Sequence, residues 1–207
     1  MSKQSLQSLS LSGASEAAER HPSPASERIV EVARELFCRD GIHATGIERI
    51  LAAANASNMT LYARSGSKDA LVREVLTREG ADWREAFLAA IIQSGADPMT
   101  RLHFVIPAIA RWFNGGRFYG CAFMNAAAEH AKGEPAIREM ASEHHRQILA
   151  FLEGLAVAAG LAEPGLLARQ ILLTIDGAIA ALMVSGDAAV LNVAQRNLDA
   201  VLSAARG

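Results

Sequence analysis

The sequence predicts an all-α protein, with a small N-terminal helical module followed by a larger helical domain. Of its 207 residues, 51% are hydrophobic and only 5% are aromatic, and this balance favours packed helices over sheets. Apolar residues recur at helical spacing. Serine, asparagine and glycine occur where short helices would begin and end.

Composition narrows the class of protein. The net charge of −2 neither indicates nor excludes a polyanionic partner. The two cysteines, Cys38 and Cys121, lack metal-site spacing and fit a reduced, intracellular setting. Residues 1–15 lack the apolar core of a signal peptide. No apolar run approaches the roughly 20 residues that span a bilayer. We therefore expect a cytoplasmic protein without a cofactor, a metal or a membrane partner.

The first helix follows a polar segment. Residues 1–25 are serine-rich and are interpreted as a flexible tail. Ser26 is predicted to cap a helix that Gly41 ends. Thr45 and Glu48 match a T-x-x-E capping box, which predicts a second, short helix through GIERILAAA.

A turn and two further helix starts come next. Asn55 tolerates the left-handed conformation that a chain reversal requires. Ser57 is predicted to cap a third helix over 58–63, and Ser67 to cap a long helix that runs to Gly95. This order is typical of a tri-helical helix-turn-helix. We assign residues 26–72 to this helix-turn-helix DNA-binding domain and 73–207 to a larger helical domain, for which the resemblance described below implies ligand binding and dimerisation.

Glycine and proline divide the remaining chain into further helices. Pro107 is expected to kink the first of them. The predicted ranges are 98–114, 117–131, 135–159, 165–184 and 187–205.

The N-terminal module resembles that of the TetR family of one-component transcriptional regulators, in order and spacing, over residues 28–76. A second segment, GCAFMNAAAEH at 120–130, resembles part of the C-terminal domain in one branch of that family. The matching positions of the module include Ala33, Leu36, Phe37, Gly41, Ala44, Thr45, Ile50, Ala54, Ser57, Thr60, Leu61, Tyr62, Ser67, Lys68 and Leu71.

The resemblance implies a homodimer whose N-terminal modules enter successive major grooves of double-stranded operator DNA. A small-molecule effector in the C-terminal domain would release the DNA, which makes the protein a repressor. The resemblance places dimerisation on the last two helices. Their apolar stripes are Ile171, Leu172, Ile175, Ala178, Ile179 and Leu182 on one, and Val190, Val193, Ala194, Leu198 and Leu202 on the other.

Residues at the start of the third helix are candidate DNA contacts. The hydroxyls of Ser57 and Thr60 sit at a helix N-terminus, which attracts phosphate, although Ser57 also serves as a cap. Asn58 can bind adenine, and Met59 can pack on a thymine methyl. The family usually has lysine and glycine at these two positions, so we expect a different operator.

Four more residues are candidates on other grounds. The positive charge of Lys68 is unfavourable beside the positive end of the helix dipole, and a bound phosphate would be attracted to both. Tyr62 can bury its ring and extend its hydroxyl to a phosphate, or be a core tyrosine. Arg64 can contact DNA or remain solvated. Thr45 can contact the flanking backbone.

The junction after the third helix departs from the family pattern. An aromatic residue and a proline are common where this chain has Ser65 and Gly66, so we expect a looser junction and weaker DNA affinity. The alternative function is therefore a ligand- or protein-interaction module with weakened DNA binding.

A ligand pocket is expected between helices of the larger domain. Asp176 needs a partner if buried, either Arg169 or Arg146, or it lines the pocket. Cys121 follows Gly120 at a helix start, which would favour a reactive thiolate; the alternative is a small buried hydrophobe. The full set of candidates is His103, Trp112, Phe113, Cys121, Asn125, His144 and Asp176.

Catalysis and metal binding are not expected. No nucleophile, oriented base and oxyanion donor can be assembled from the sequence, which argues against an enzyme. His144 and His145 are adjacent, and adjacent side chains on a helix point about 100° apart, so they do not form a ready metal site.

Overall fold

The computed structural model describes residues 23–129 and 135–206. Those residues form ten helices and no strand, which confirms the all-α prediction. The helices are α1 Pro24–Asp40, α2 Ile47–Ala54, α3 Asn58–Arg64, α4 Lys68–Gln93, α5 Pro98–His103, α6 Val105–Asn114, α7 Ala122–Glu129, α8 Pro135–Ala158, α9 Pro164–Ser185 and α10 Ala189–Ala204.

The helix-turn-helix forms where the local sequence predicts it. Gly41 ends α1 with a φ of 91°, and Asn55 ends α2 in the left-handed conformation with a φ of 46°. The Ser57 hydroxyl accepts a hydrogen bond from the Thr60 amide and caps α3. The Ser67 hydroxyl caps α4 in the same way. These local predictions are confirmed.

The first helix begins earlier than predicted. Ser23, not Ser26, is the N-cap, and Pro24 occupies the first turn, where its missing N–H costs nothing. Ser26 is buried and its hydroxyl donates to the Ser23 carbonyl at 2.8 Å. The predicted tail therefore loses residues 24 and 25 to α1. Its residues 1–22 lie outside the described part of the chain.

The predicted capping box does not form. Gly46 is the N-cap of α2, and no side chain bonds to its first amides. Thr45 is fully buried and its hydroxyl donates to the Gly41 carbonyl at 2.7 Å. The buried Thr45 side chain therefore stabilises the α1–α2 loop instead of capping α2.

Helices α5 to α10 form the larger domain with the C-terminal half of α4. The predicted 98–114 helix is divided at Phe104, close to Pro107, whose ring clashes with the carbonyl four residues before it. The predicted 117–131 helix begins five residues late, at Ala122. Gly116 and Gly120 have φ values of 78° and 80°, which keep the preceding segment out of the helical conformation.

Helix α9 forms the centre of this domain, packed between α8 and α10. It is long and apolar enough to cross a membrane by length and composition, contrary to the prediction that no segment would be. Its predicted stripe, which includes Ile171, Ile175 and Ile179, is buried in the core of its own chain. The surface available to a second copy is therefore a different face.

Two apolar cores meet along α4 and at Cys121, immediately before α7. The module core contains Ile29, Leu61 and Leu71, and it also takes in Phe123 and Ala126 of α7. The predicted boundary at 72/73 falls inside α4, which runs without a break from one core to the other.

Gly80 permits this junction. A Cβ at Gly80 would lie 2.6 Å from Phe123 Cζ and 2.9 Å from Arg84 Nη1. The absence of a side chain at this point in α4 therefore lets Phe123 pack directly on the helix backbone.

We predict that Gly80→Ala lowers the free energy of unfolding by about 0–2 kcal/mol. The gain in helix propensity of about 1 kcal/mol is outweighed by an overpacking cost of about 1–3 kcal/mol. Gly154→Ala is the matched control, because α8 leaves open space around Gly154. It should raise stability by about 0.5–1 kcal/mol. Urea unfolding at one protein concentration measures both; equal stabilisation would contradict close packing at Gly80.

Candidate nucleic-acid interface and buried cavity

The outward face of α3 presents most of the predicted contact residues. Leu61 is buried and anchors the helix, whereas Met59 and Tyr62 are 79% and 59% exposed. Ser57 and Asn58 are also exposed. The prediction that the Tyr62 ring is buried beside the helix is therefore wrong, because α3 is too short to bury residues on both sides of Leu61.

Thr45 does not belong to this face. Its side chain is fully enclosed by the module. The prediction that it contacts the DNA backbone is therefore wrong.

Arg64 connects helices rather than facing outward. Its guanidinium bonds to the Glu74 carboxylate of α4, with Nε–Oε1 at 3.1 Å, and to Glu27 of α1 at 2.8 Å. It also donates to the Ser26 hydroxyl at 3.0 Å. Arg78 closes the network with bonds to Glu27 and Glu74. Arg64 was predicted to contact DNA or to be solvated, and both predictions are wrong. The side chain instead acts as a clamp that holds α1, α3 and α4 together.

This clamp bears on the Ser65–Gly66 junction. Gly66 has a φ of 75°, and the Ser65 hydroxyl donates to Glu74 at 3.3 Å. Polar bonds to Glu74 thus hold the junction that an aromatic residue and a proline commonly hold in the family.

The charges of the module are mostly committed to internal pairs. Arg34 pairs with Glu79 and Asp82, and Arg49 with Asp40. Lys68, at the start of α4, has no acidic partner among the described residues. It is therefore a cation free to meet an external anion at a helix N-terminus.

A cavity lies between α4, α6, α7, α8 and α9. Its volume is about 20 Å³, and the space is partly open to solvent. Trp83 stacks on Phe87 with ring centroids 4.7 Å apart, and Trp112 meets the Trp83 edge at 5.4 Å. Four of the predicted pocket residues line it: Trp112, Cys121, His144 and Asp176.

Two histidines supply polar groups to the cavity. His144 Nδ1 lies 2.9 Å from Arg84 Nη1. Burial, together with the nearby Arg84 charge, lowers the pKa of His144 to about 3, so this ring stays neutral. His145 Nε2 lies 3.4 Å from Asp176 Oδ1, and this contact raises the pKa of His145 despite partial burial. Asp176 therefore pairs with His145, not with either predicted arginine.

Cys121 has the character of a buried thiol. It directly precedes α7, and amides of Phe123 and Met124 favour its charged form. Burial outweighs them and raises the pKa of the thiol. Because both cores pack on Cys121, the interpretation as a small buried hydrophobe agrees with the structure and that as a reactive thiolate does not.

Three predicted pocket residues lie elsewhere. His103 pairs with Asp199 of α10 at 3.0 Å. Phe113 and Asn125 line a separate cleft, where the Asn125 amide donates to the Tyr119 carbonyl at 3.0 Å. Their side-chain types suited a pocket, but the packing of α5, α6 and α7 places all three outside the cavity.

The sequence analysis missed Trp83 and the glycine beside it. Trp83 and Phe87 lie one turn apart on α4, so the pattern alone marks a core stripe. No signal in the sequence shows that α6, α8 and α9 leave a gap opposite that stripe.

Glu129, the last residue of α7, joins the larger domain to the module. Its carboxylate accepts hydrogen bonds from the Ile42 amide at 3.0 Å and the His43 amide at 2.7 Å. The His43 ring lies 3.1 Å away. We call this set of bonds the Glu129 latch. The approach is close, since a Cβ on Gly41 would lie 3.1 Å from the carboxylate.

The latch depends on the charge of Glu129. Partial burial raises the pKa of the carboxyl, but the His43 and Ile42 amides and the His43 ring together bring the pKa below its ordinary value. The latch therefore contributes stability above the ordinary carboxyl pKa and loses it as pH falls through the lowered one.

Comparison with known proteins decides the family. Residues 29–75 match the family model described as bacterial regulatory proteins, tetR family. A TetR-family transcriptional regulator from Streptomyces coelicolor is 26% identical, with a TM-score of 0.83 over 89% of this chain and 97% of that one. The chain belongs to the TetR family. A protein described as a TetR transcriptional regulator from Streptomyces avermitilis is 29% identical, with a TM-score of 0.76 over 89% of this chain and 98% of that one.

The fold extends to more distant members. A TetR-family regulator from Cytophaga hutchinsonii, 15% identical, covers 90% of this chain and 98% of its own with a TM-score of 0.78. No curated protein matches the sequence closely. As a TetR-family regulator, the chain carries a DNA-binding helix-turn-helix. Members of this family bind operator DNA and small effectors, act as dimers, and are generally not enzymes.

We predict that Glu129→Ala accelerates hydrogen exchange of the Ile42 and His43 amides by about tenfold, because both lose their acceptor. Glu129→Gln keeps one acceptor oxygen and should give a smaller change. Glu139→Ala, at an exposed position of α8, is the control and should leave both amides unchanged. Unaltered exchange in Glu129→Ala would show that the latch does not hold the loop.

Proposed function

We propose that this TetR-family regulator is a repressor that a small molecule in the larger domain releases from operator DNA. The proposal rests on one observation: helix α7 contacts the cavity, the module core and the α1–α2 loop. One end of that helix borders the cavity, its middle packs in the module core, and Glu129 at the other end holds the α1–α2 loop. We infer that it acts in the cytoplasm, where operator DNA is found.

The exposed face of α3 is suited to reading bases. Asn58 can form paired hydrogen bonds with adenine, and Met59 can contact a thymine methyl. Tyr62 is exposed one turn further on, so its hydroxyl can reach a phosphate. Ser57 and Thr60 have hydroxyls that bond to each other at 3.0 Å and lie at the helix start.

Lys68 supplies a backbone contact on the next helix. A lysine at a helix N-terminus opposes the positive end of the dipole, and a phosphate between them is attracted to both. Most other cations of the module are in internal ion pairs, so we expect few phosphate contacts and a modest salt dependence.

We predict that Lys68→Ala weakens binding to all DNA sequences and reduces the salt slope of log K by about one per protomer. Asn58→Ala should instead change the preference among operator variants, by about 1–3 kcal/mol at one base pair. Fluorescence anisotropy on the DNA upstream of the gene, across salt concentrations, measures both. Arg146→Ala, at an exposed position of α8, controls for lost charge. Wild-type affinity equal to that for random DNA at every salt would refute the repressor function.

That same outcome would favour the alternative function, an interaction module with weakened DNA binding. The observation behind this alternative is the commitment of the module's arginines to internal ion pairs. Effector binding without operator binding would establish it.

Dimerisation is proposed through an exposed apolar face of α9 and α10. Leu166, Leu173 and Val184 are exposed and are separated by seven and eleven residues, close to two and three turns of helix. Val193 adds an exposed side chain on α10, and Gly177 allows close approach at the centre. Exposed apolar patches of this kind mark interaction surfaces.

We predict that Leu173→Glu shifts the protein from a dimer to the 22.0 kDa monomer. The substitution places a charge at the centre of the proposed interface, where burial without a partner costs several kcal/mol. Light scattering after size-exclusion chromatography measures the mass. Val157→Glu is the matched control, since Val157 is an exposed aliphatic residue of α8 outside this face. A dimeric Leu173→Glu protein would place the interface elsewhere.

Effector release is proposed to act through α7. A ligand that enters the cavity contacts Cys121, Ala122 and Phe123, the residues around the start of that helix. Because α7 is short and packs in the module core, a displacement at this end is transmitted to the Glu129 latch. The latch holds the loop before α2, which positions the reading helix α3.

A further inference from the structure

A groove between α4 and α8 offers a much larger space than the cavity. Its volume is about 450 Å³, which lies within the range of sites for small molecules. Arg73, Thr77 and Arg84 line one side of it, on a single face of α4. Phe123 and His144 line both the groove and the cavity, and their stacked rings form a wall that the two spaces share.

Arg84 carries a positive charge that no carboxylate of the described residues offsets. The side chain is partly buried, and its one hydrogen bond within that part of the chain joins Nη1 to His144 Nδ1 at 2.9 Å. Because His144 is neutral, this bond supplies no negative charge. Burial lowers the pKa of Arg84, and no opposing effect of a carboxylate accompanies it. Burial of a charge without a counter-charge is unfavourable, and a bound anion would offset that cost.

Other arginines of similar burial show the difference. Arg34, Arg64 and Arg78 are also partly buried, and each forms ion pairs with carboxylates of neighbouring helices. Arg84 therefore differs from them in its missing partner, not in its burial.

Most of the hydrogen-bond donors of Arg84 remain available. A guanidinium presents several N–H donors in a planar fork, and His144 accepts only one of them. None of the unpaired Arg84 nitrogens is sealed from solvent, and the side chain lines the groove. The geometry of such a fork matches the two oxygens of a carboxylate.

The charges around the groove limit the charge of that anion. Three arginines and two glutamates line it, a net charge of +1: Arg73, Arg84, Arg146, Glu139 and Glu143. Arg146 pairs with Glu143, which leaves Arg73 and Arg84 to face Glu139. A ligand with one negative charge balances this set, whereas a second negative charge would be repelled by the glutamates.

We propose that the groove between α4 and α8 binds a small organic monocarboxylate, whose oxygens accept hydrogen bonds from the Arg84 guanidinium. The apolar part of the compound packs on Phe123 and Met140, which line the same groove. Binding there requires no enlargement of the cavity. The site therefore goes beyond the proposed function, in which the effector enters the cavity.

Three probes with the same hydrocarbon chain test the charge of the ligand. Hexanoate carries one negative charge, 1-hexanol carries none, and hexyl phosphate carries close to two at about pH 8. Titration calorimetry on the full-length protein at low salt should show hexanoate binding about tenfold more tightly than 1-hexanol, because its hydrogen bonds to Arg84 are charge-assisted. Hexyl phosphate should bind no more tightly than hexanoate.

Substitution of Arg84 tests the guanidinium. Arg84→Gln removes the charge but keeps an N–H donor for His144 Nδ1, so it should lose the preference for hexanoate and bind 1-hexanol as the wild type does. Arg84→Lys keeps the charge without the fork and should retain a smaller preference. Arg117→Gln, at an exposed position outside the groove, is the matched control and should keep the tenfold preference. Circular dichroism confirms that each variant is folded.

The inference is overturned if hexanoate does not bind, if 1-hexanol binds as tightly or hexyl phosphate more tightly, or if Arg84→Gln keeps the preference. Operator binding, measured separately, distinguishes this failure from that of the proposed function. DNA binding without hexanoate binding refutes only the carboxylate site. Hexanoate binding without DNA binding refutes the repressor function and leaves the carboxylate site standing.

Discussion

A helix-turn-helix of three short helices buries too little apolar surface to be stable alone, and this constraint shapes the rest of the chain. The module core is completed by the N-terminal half of α4, by Phe123 and Ala126 of α7, and by Ile137 of α8. Its stability therefore depends on elements of the larger domain. The packing of Phe123 on Gly80 is the closest point of this dependence. Any movement of α7 must disturb the core that supports the reading helix.

The same junction explains why a cavity lies where it does. Helix α7 extends toward the module, so α4, α6, α8 and α9 are left with aromatic side chains around an incompletely filled space. His144 stands at its edge, stacked on Phe123 and bonded to Arg84. Occupation of the cavity and support of the module thus share one side chain, Phe123. This arrangement gives a physical basis for coupling between a small molecule and DNA, through packing rather than through long-range charge.

Most of the positively charged side chains of the module form internal ion pairs, and few are left to contact DNA. Most arginines hold helices together, and Arg64 does so at a junction that lacks the aromatic residue and proline common in the family. Few cations remain for phosphate, and Lys68 is placed at a helix N-terminus. We therefore expect this DNA-binding module to depend on base contacts from Asn58 and Met59 more than on nonspecific attraction to the phosphate backbone.

Local chemistry in the sequence determined the helix-turn-helix, because Gly41, Asn55, Ser57 and Ser67 act within a few residues of themselves. The remaining helices followed from glycine and proline breaks, apart from the division of 98–114 at Phe104 and the late start of α7. Contacts between distant segments could not be predicted in this way. Tertiary structure alone buried Thr45, turned Arg64 inward, paired Asp176 with His145 and brought Glu129 to the α1–α2 loop. Side-chain type shows what a residue can bind, whereas packing decides which partner comes within reach.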